Sequence, residues 1–564
     1  MAWLAHRKWI AVLPSVVVFA ALFQIIPFLL PDIRDNLSES YEPSKTLRFI
    51  ASHGTYVHKW GPIPAFIFAP VYGAMLVLSK VGHHLSSLSG QYPFGFDDPV
   101  VQIGRLILAA RITVLLIGMA SIYYLCRSLQ RALKNNLAPV VSLLMCLCTS
   151  LVFLEPLADT KPDGLMVSML ICALANYVAI VLDGLTVGNA VRFAFFYIAS
   201  VSTKELTSTT MFLPFLGLML VGLSHWRAKT VEGKQYVRRM FLAMACIPVF
   251  YLLINVFYAP SAWRERIAFV FGPLKDPAAW AAPDQTRLSY LQDTAAAVFA
   301  AIGWGGSIML VVALIGTIRH PSRKLILLWL PFLSHLLFTT VLGGYMPAYF
   351  MLPLAPALAL PVAFVLARAL EPYLARPEYQ TRLLTATAVL AACCAFMALS
   401  ATTLFRVAHP NWMTDRAMLE SVPPGSTFDP LKVLNVARTA ATPGPDGRIE
   451  DHRPLFRLIQ DSPQSRPQYL LFPTDLETWT MQIKDRPVRG AQVKVDTNFD
   501  YSTFRSFDSI GYILIGTARP TIPRWLFPVL VAGSKSYTEE GIHIYRLRSA
   551  PEAQPPHNTT ASLP

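Results

Sequence analysis

The apolar residues of this chain fall into long uninterrupted runs rather than alternating or helical-stripe patterns. A helix needs about 20 mostly apolar residues to cross a hydrocarbon core about 30 Å thick. Runs of that kind lie near 10–30, 104–125, 137–154, 164–182, 190–203, 206–223, 240–258, 294–318, 325–342, 348–367 and 383–404. They predict about eleven transmembrane helices, with the pair between 190 and 223 the shortest. One more apolar stretch, Ile63 to Ser79, is rich in Pro and aromatic residues and follows a polar segment. It is expected to lie in the interface as an amphipathic juxtamembrane helix.

From about 405 the pattern changes. The sequence becomes polar and Pro-rich, with turn clusters at 423–426 and 442–447. Short β-type runs occur at Tyr469–Phe472, Gly511–Gly516 and His543–Leu547. The pattern therefore predicts a polytopic all-α membrane domain over 1–404, with a first outer loop over 31–103 carrying juxtamembrane helices. A C-terminal soluble α/β domain follows over 405–564, with a disordered tail after Ser549.

Composition narrows the class. Of 564 residues 54% are hydrophobic and 15% charged, which excludes a disordered chain and an ordinary string of soluble domains. The net charge of +14 admits a nucleic-acid partner or a positive-inside bias. Its distribution decides for the second. Arg7, Lys8, Arg127, Arg131, Lys134 and the basic loop from Arg227 to Arg239 all fall on one side if Ile63–Ser79 does not cross. That side then holds 17 Lys and Arg against 4 acidic residues, so nearly all the excess is an orientation signal. No nucleic-acid partner is expected. The first run is longer than a signal-peptide core and is read as an uncleaved span. The N-terminus is placed in the cytoplasm and the C-terminal domain in the periplasm or outside. All seven Cys lie in or beside apolar runs and none lies in 405–564, which fits a bacterial inner membrane protein without outer disulfides.

Polar residues gather on the predicted outer face. The loop 31–62 holds Asp32, Asp35, Glu39 and Glu42 among Arg34, Lys45, Arg48 and Lys59. The loop 155–164 brings Asp159, Lys161 and Asp163 to the same side. Lys204 and Glu205 sit between two apolar runs, where unpaired charge is costly. Tyr345 and Tyr349 mark the start of the run after 343, and the loop 259–293 adds Trp263, Arg264, Arg266 and Lys275. Carboxylates beside cations at a bilayer surface suit proton removal from a hydroxyl with stabilisation of a phosphate leaving group. Simpler accounts exist for each piece. Loop ion pairs explain the first loop, pairing with Glu205 explains Lys204, and an aromatic belt explains the tyrosines.

In order and motif, roughly 1–404 resembles the GT-C fold glycosyltransferases that use polyprenyl-phosphate sugars. These include protein O-mannosyltransferases, the lipid A aminoarabinose transferase and GPI mannosyltransferases. Asp35 ahead of Glu42-Pro43 resembles the family's acidic first-loop motif, and Lys59 before Gly61-Pro62 its Lys-Pro-Pro element. Residues 160–164 (TKPDG) look like the second acidic motif, 203–205 (TKE) the Thr-Lys step, and 349–356 (YFMLPLAP) the Tyr-x-Leu-Pro span. Asn36 departs from the pattern, standing where Glu often follows the Asp.

The resemblance implies Asp35 as general base, with Asp32 close enough to compete. It implies Lys59 and Lys204 as contacts of the donor phosphate, and Arg264 of the outer loop 259–293 is expected to join them. Asp159, Asp163, Glu42, Tyr345 and Tyr349 would position the acceptor or a metal, and a divalent cation, Mg or Ca, is permitted but not demanded. The expected activity is inverting transfer of a sugar from a polyprenyl-phosphate donor to a hydroxyl of a lipid, glycan or protein at the outer face. A lipid-linked saccharide transporter and a non-catalytic assembly scaffold are the alternatives. Neither the sugar nor the acceptor can be read from the residues.

Overall fold

The computed structural model of the chain describes residues 8–23, 41–55, 61–89, 95–97, 99–158, 160–227, 229–264, 266–267, 287–342, 348–374, 376–408 and five strands between 468 and 546. Its helices are α1 (Leu13–Phe23, after a 3-10 turn over Lys8–Val12), α2 (Tyr41–Ala51), α3 (Ile63–Val81), α4 (Pro99–Leu133), α5 (Leu137–Leu147) and the single turn α6 (Leu151–Leu154). Then come α7 (Pro162–Leu182), α8 (Val187–Thr203), α9 (Ser208–Arg227), α10 (Val231–Tyr251), α11 (Arg287–Arg319), α12 (Arg323–Leu342), α13 (Leu354–Leu374) and α14 (Pro377–Ala408).

Two compact units divide the chain. One takes Met1–Leu29, Lys45–Phe94 and Leu108–His409, the other Leu30–Ser44, Gly95–Ile107 and Pro410–Pro564. In the first, α7 and α13 are the interior helices, apolar on every side and buried along most of their length. Helix α8 packs on α7 and α10, α9 on α10 and α12, and α13 on α5, α11 and α12, while α14 lies against α1. Peripheral helices turn large apolar side chains outward, such as Phe241 and Val249 on α10 and Ile318 at the end of α11. Such a surface is stable in lipid and not in water.

Among the described residues seven helices are long and apolar enough to cross a membrane: Ile63–Val81, Arg105–Leu133, Pro162–Leu182, Ser208–Arg227, Val231–Val256, Tyr290–Arg319 and Leu354–Tyr373. The chain is a multi-pass membrane protein. Ile10–Leu22 and Thr381–Cys394 are shorter apolar helices. The runs at 190–203 and 325–342 form α8 and α12.

Two expectations change. The stretch read as amphipathic and interfacial is α3, a 19-residue helix with no polar face before Ser79 and Lys80. Pro64 lies in its first turn, where a missing N–H costs nothing, and Pro70 is accommodated inside it. By length and composition it qualifies as a span. The run 137–154 is not one straight helix. Leu137–Leu147 and Val152–Ala158 are bent by 97°. At the bend the Ser150 hydroxyl donates to the Ala301 carbonyl at 2.7 Å and accepts from the Phe153 N–H at 3.1 Å. Opposite stands Gly303, whose φ of 66° breaks α11, and a Cβ there would meet the Thr149 carbonyl at 2.4 Å. Each irregularity accommodates the other.

The described part of the second unit includes a five-stranded mixed sheet of β1 (Gln468–Leu471), β2 (Val493–Asp496), β3 (Tyr512–Ile515), β4 (Lys535–Glu539) and β5 (Ile542–Arg546), in the order β2-β1-β3-β5-β4. Strands β2 and β3 run parallel to β1, and β5 pairs antiparallel with β3 and β4. β1, β3 and β5 fall on the three β-type runs of the sequence. β4 is a polar segment and β2 a four-residue alternation, and neither was marked in the sequence. Helices of the expected α/β domain, and its tail, would lie outside the described residues.

Candidate functional site

The residues of the candidate site gather where α7 begins and α8 ends. Pro162 opens α7, and Asp163 follows in its first turn, where the positive end of the helix dipole favours a carboxylate. Gly164 is required there, because a Cβ would meet the Pro156 carbonyl at 2.1 Å. Lys204 terminates α8 in extended conformation (φ −158°, ψ 131°), where the helix's carbonyl end favours a cation. Antiparallel packing of α7 and α8 brings the two ends together. Lys204 Nζ donates to Asp163 Oδ1 at 2.7 Å, and both residues are 8% exposed. The same ammonium stands 5.3 Å from the centre of the Phe350 ring, in the 3-10 turn Ala348–Met351. Lys204 is therefore not paired with its neighbour Glu205.

Glu205 instead receives the Nε–H of Arg266. The Arg266 guanidinium also donates from Nη1 to Asn255 Oδ1 at 2.6 Å and from Nη2 to the Val201 carbonyl at 2.7 Å. Asn255 returns a hydrogen bond from Nδ2 to Ser202 Oγ at 2.7 Å. It lies in a π-helical turn, Leu252–Val256, that follows α10, and such turns often reshape a helix at a site. Burial lowers the Arg266 guanidinium to about 10, so it remains a cation at neutral pH.

The first loop reaches this cluster through Gly61. Its φ of 113° suits glycine, and a Cβ would lie 2.0 Å from the Ser202 carbonyl and 2.7 Å from Arg266 Nη1. Upstream, Phe49 of α2 meets Phe66 of α3 edge-on, and Phe66 meets Tyr258 with ring centres 4.9 Å apart. The Tyr258 hydroxyl donates to the Gly54 carbonyl at 2.6 Å. An open cleft of roughly 210 Å³, mouth included, is lined by Gly61, Pro62, Asn255, Tyr258, Trp263 and Arg266. It has an aromatic wall and a cationic floor.

Of the residues expected at the site, Asp163 and Lys204 are brought together, and Arg264 is exposed to one side of Arg266. Glu42 and Tyr349 are described only by their backbones, in α2 and the 348–351 turn. Asp32, Asp35, Lys59, Asp159 and Tyr345 lie outside the described residues. Among the described residues no group of three His, Cys, Asp or Glu is placed to hold a metal. Asp163 and Glu205 each face a cation. Sequence reasoning noted Arg266 without a role and missed Asn255. The available signal was a lone amide in the apolar run 240–258, where a polar side chain needs a partner.

No family model matches the chain, and no curated protein matches it. Among solved structures it is similar to ArnT from Cupriavidus metallidurans bound to undecaprenyl phosphate, with 14% identity and a TM-score of 0.42 over 94% of this chain and 97% of that one. The same protein in the apo state gives 14% identity and a TM-score of 0.44 over 95% and 98%. At such values the likeness assigns neither a reaction nor a site.

Proposed function

We propose that this protein is a membrane glycosyltransferase that moves a sugar from a polyprenyl-phosphate donor to an acceptor hydroxyl at the outer face, with inversion. One observation carries the reading. Three sequence segments singled out by their chemistry, 160–164, 203–205 and 349–356, meet at Lys204, and a fourth, at Gly61, abuts Ser202 two residues before it. Asp163 binds Lys204, and the Phe350 ring lies against the ammonium. A transferase that expels a phosphate needs a cation held at a fixed point in a water-poor site, with its carboxylate neighbours already balanced.

In the proposed reaction Asp35 removes the proton of the acceptor hydroxyl. The oxygen attacks the anomeric carbon as the bond from that carbon to the phosphate oxygen breaks. The phosphate departs with its electron pair towards Lys204 and Lys59, while Arg264 at the exposed edge guides the anionic donor in. Asp163 orients Lys204, and Glu42, Asp159, Tyr345 and Tyr349 position the acceptor. Asp163 and Glu205 are each balanced by a cation, so a Mg or Ca ion would rest on Asp159 and the first loop. The acceptor is a lipid, glycan or protein, and the location is a bacterial inner membrane with the N-terminus cytoplasmic.

The bend at 148–150 against Gly303 is the feature a lipid-linked saccharide transporter would share, because transporters use broken helices. Here the bend's polar groups close on one another, and the charges lie at helix ends. The deciding experiment supplies labelled polyprenyl-phosphate sugar to the purified protein and to Asp35→Asn. Transfer or donor hydrolysis by the wild type, lost in a folded Asp35→Asn, supports the reading. Full activity in that variant removes Asp35 from the role of base, and movement of intact donor without product favours transport.

A further inference from the structure

His335 is completely buried in the middle of α12, and both of its ring nitrogens are engaged. Nδ1 lies 3.0 Å from Thr209 Oγ1 and 3.1 Å from Thr210 Oγ1, in the first turn of α9. Nε2 lies 2.8 Å from the Phe350 carbonyl oxygen. A carbonyl only accepts, so Nε2 carries the proton and Nδ1 is the acceptor for the threonine hydroxyls.

Sequence explains why the Phe350 carbonyl needs that donor. Three residues on stands Pro353, which has no N–H to close a 3-10 turn on it. His335 supplies a hydrogen bond in its place and thereby ties the 348–351 turn to α12. It is also tied to the segment that leads away from Lys204. The neighbouring Ser334 hydroxyl donates to the Thr209 carbonyl and accepts from the Leu213 N–H at 3.1 Å. From α12, then, two adjacent side chains grip the start of α9, and one of them also grips the backbone of Phe350. The ring of that same Phe350 faces Lys204 Nζ, which is bound on another side by Asp163 at 2.7 Å.

We infer that His335 is a positioning residue of the Lys204 site. It fixes the Phe350 turn and the 204–210 connector relative to one another, and so sets where the ammonium stands. This rests on the proposed reading that Lys204 contacts the donor phosphate, but the positional claim can be read without it.

The test uses the full-length protein in nanodiscs, with His335→Leu, His335→Gln and Phe350→Leu. Lys204 is labelled with an amine reagent and quantified by mass spectrometry, with Lys134 as reference. His335→Leu and Phe350→Leu are expected to raise Lys204 labelling roughly tenfold over the reference, since each removes one constraint on the ammonium. His335→Gln, whose amide N–H can reach the Phe350 carbonyl, is expected to restore much of the protection. The second readout is binding of undecaprenyl phosphate, expected to weaken in His335→Leu and to recover in His335→Gln. Wild-type labelling in a folded His335→Leu overturns the inference. If His335→Leu does not fold, His335→Asn, whose amide is too short to reach the Phe350 carbonyl, takes its place: raised Lys204 labelling in it supports the inference and wild-type labelling overturns it. Should the wild type fail to bind undecaprenyl phosphate while the labelling pattern holds, the donor reading falls and the positioning role stands.

Discussion

Two ion pairs flank the end of α8, and they are built differently. Arg266 directs three donor nitrogens to Glu205, Asn255 and the Val201 carbonyl, all within the protein. Asn255 is itself anchored on Ser202, and a glycine backbone closes the near side. This is a cation fixed as a structural part. Lys204 instead has a carboxylate on one side and the edge of an aromatic turn on another, both at helix ends. An ammonium is a compact point charge on a flexible stem, whereas a guanidinium is a rigid fork. The fork holds the junction of α8, the π-turn and the 260–267 segment, and under the proposed function the point charge is the one that meets the donor phosphate.

The largest expected effect comes from removing the fork. Arg266→Met leaves the Glu205 carboxylate, the Asn255 carbonyl oxygen and the Val201 carbonyl without their donor. Breaking a buried pair of this kind costs about 3–5 kcal/mol. Thermal denaturation in detergent should show a large fall in Tm, and the double variant Arg266→Met/Glu205→Gln should recover part of it because no uncompensated charge remains. A single variant as stable as wild type would show that the pair is not structural.

Lys204→Met should invert the pattern. Asp163 keeps the favourable field of the α7 N-terminus, and only one donor is lost rather than three, so the stability loss should be about 1–3 kcal/mol. Sugar transfer should fall about 100- to 1000-fold, as when one preorganised stabiliser of a developing anion is removed. Activity assays at a temperature where both variants are folded separate the two pairs. Equal activity losses in Arg266→Met and Lys204→Met would erase the distinction drawn between them.

The positions of the helices were legible because a bilayer imposes a length and an apolarity that composition alone can meet. Ion-pair partners were not. Adjacent residues at a helix end need not face the same way, and the extended backbone of Lys204 takes its side chain away from Glu205. Its partner Asp163 lies 41 residues earlier, brought close by helix packing. The bend at 148–150 was hidden for the same reason, since its counterpart Gly303 belongs to a distant helix. Helix α3 was legible as a helix, but the side taken by the basic residues outweighed its own composition, which shows no polar face before Ser79. Strand β4 (KSYTE) escaped because it carries little hydrophobic contrast, and β2 (VKVD) because its alternation lasts only four residues.

The smallest effect on activity tests how closely the first loop approaches the α8 end, and it needs a matched control. Gly61 and Gly184 both have positive φ, 113° and 103°, so alanine at either costs about 1–2 kcal/mol in backbone conformation. Nothing lies within 4 Å of a Cβ at Gly184, whereas at Gly61 it meets the Ser202 carbonyl at 2.0 Å. Gly61→Ala should therefore destabilise by about 1–3 kcal/mol beyond Gly184→Ala, the range for a forced contact in a packed region. The strain is delivered to Ser202, two residues before Lys204, so Gly61→Ala should also weaken donor binding while Gly184→Ala leaves it intact. Equal Tm shifts for the two alanine variants would mean that the first loop does not press on the end of α8. Donor contact through Lys59 would then have to be argued without the neighbouring Gly61 as its anchor.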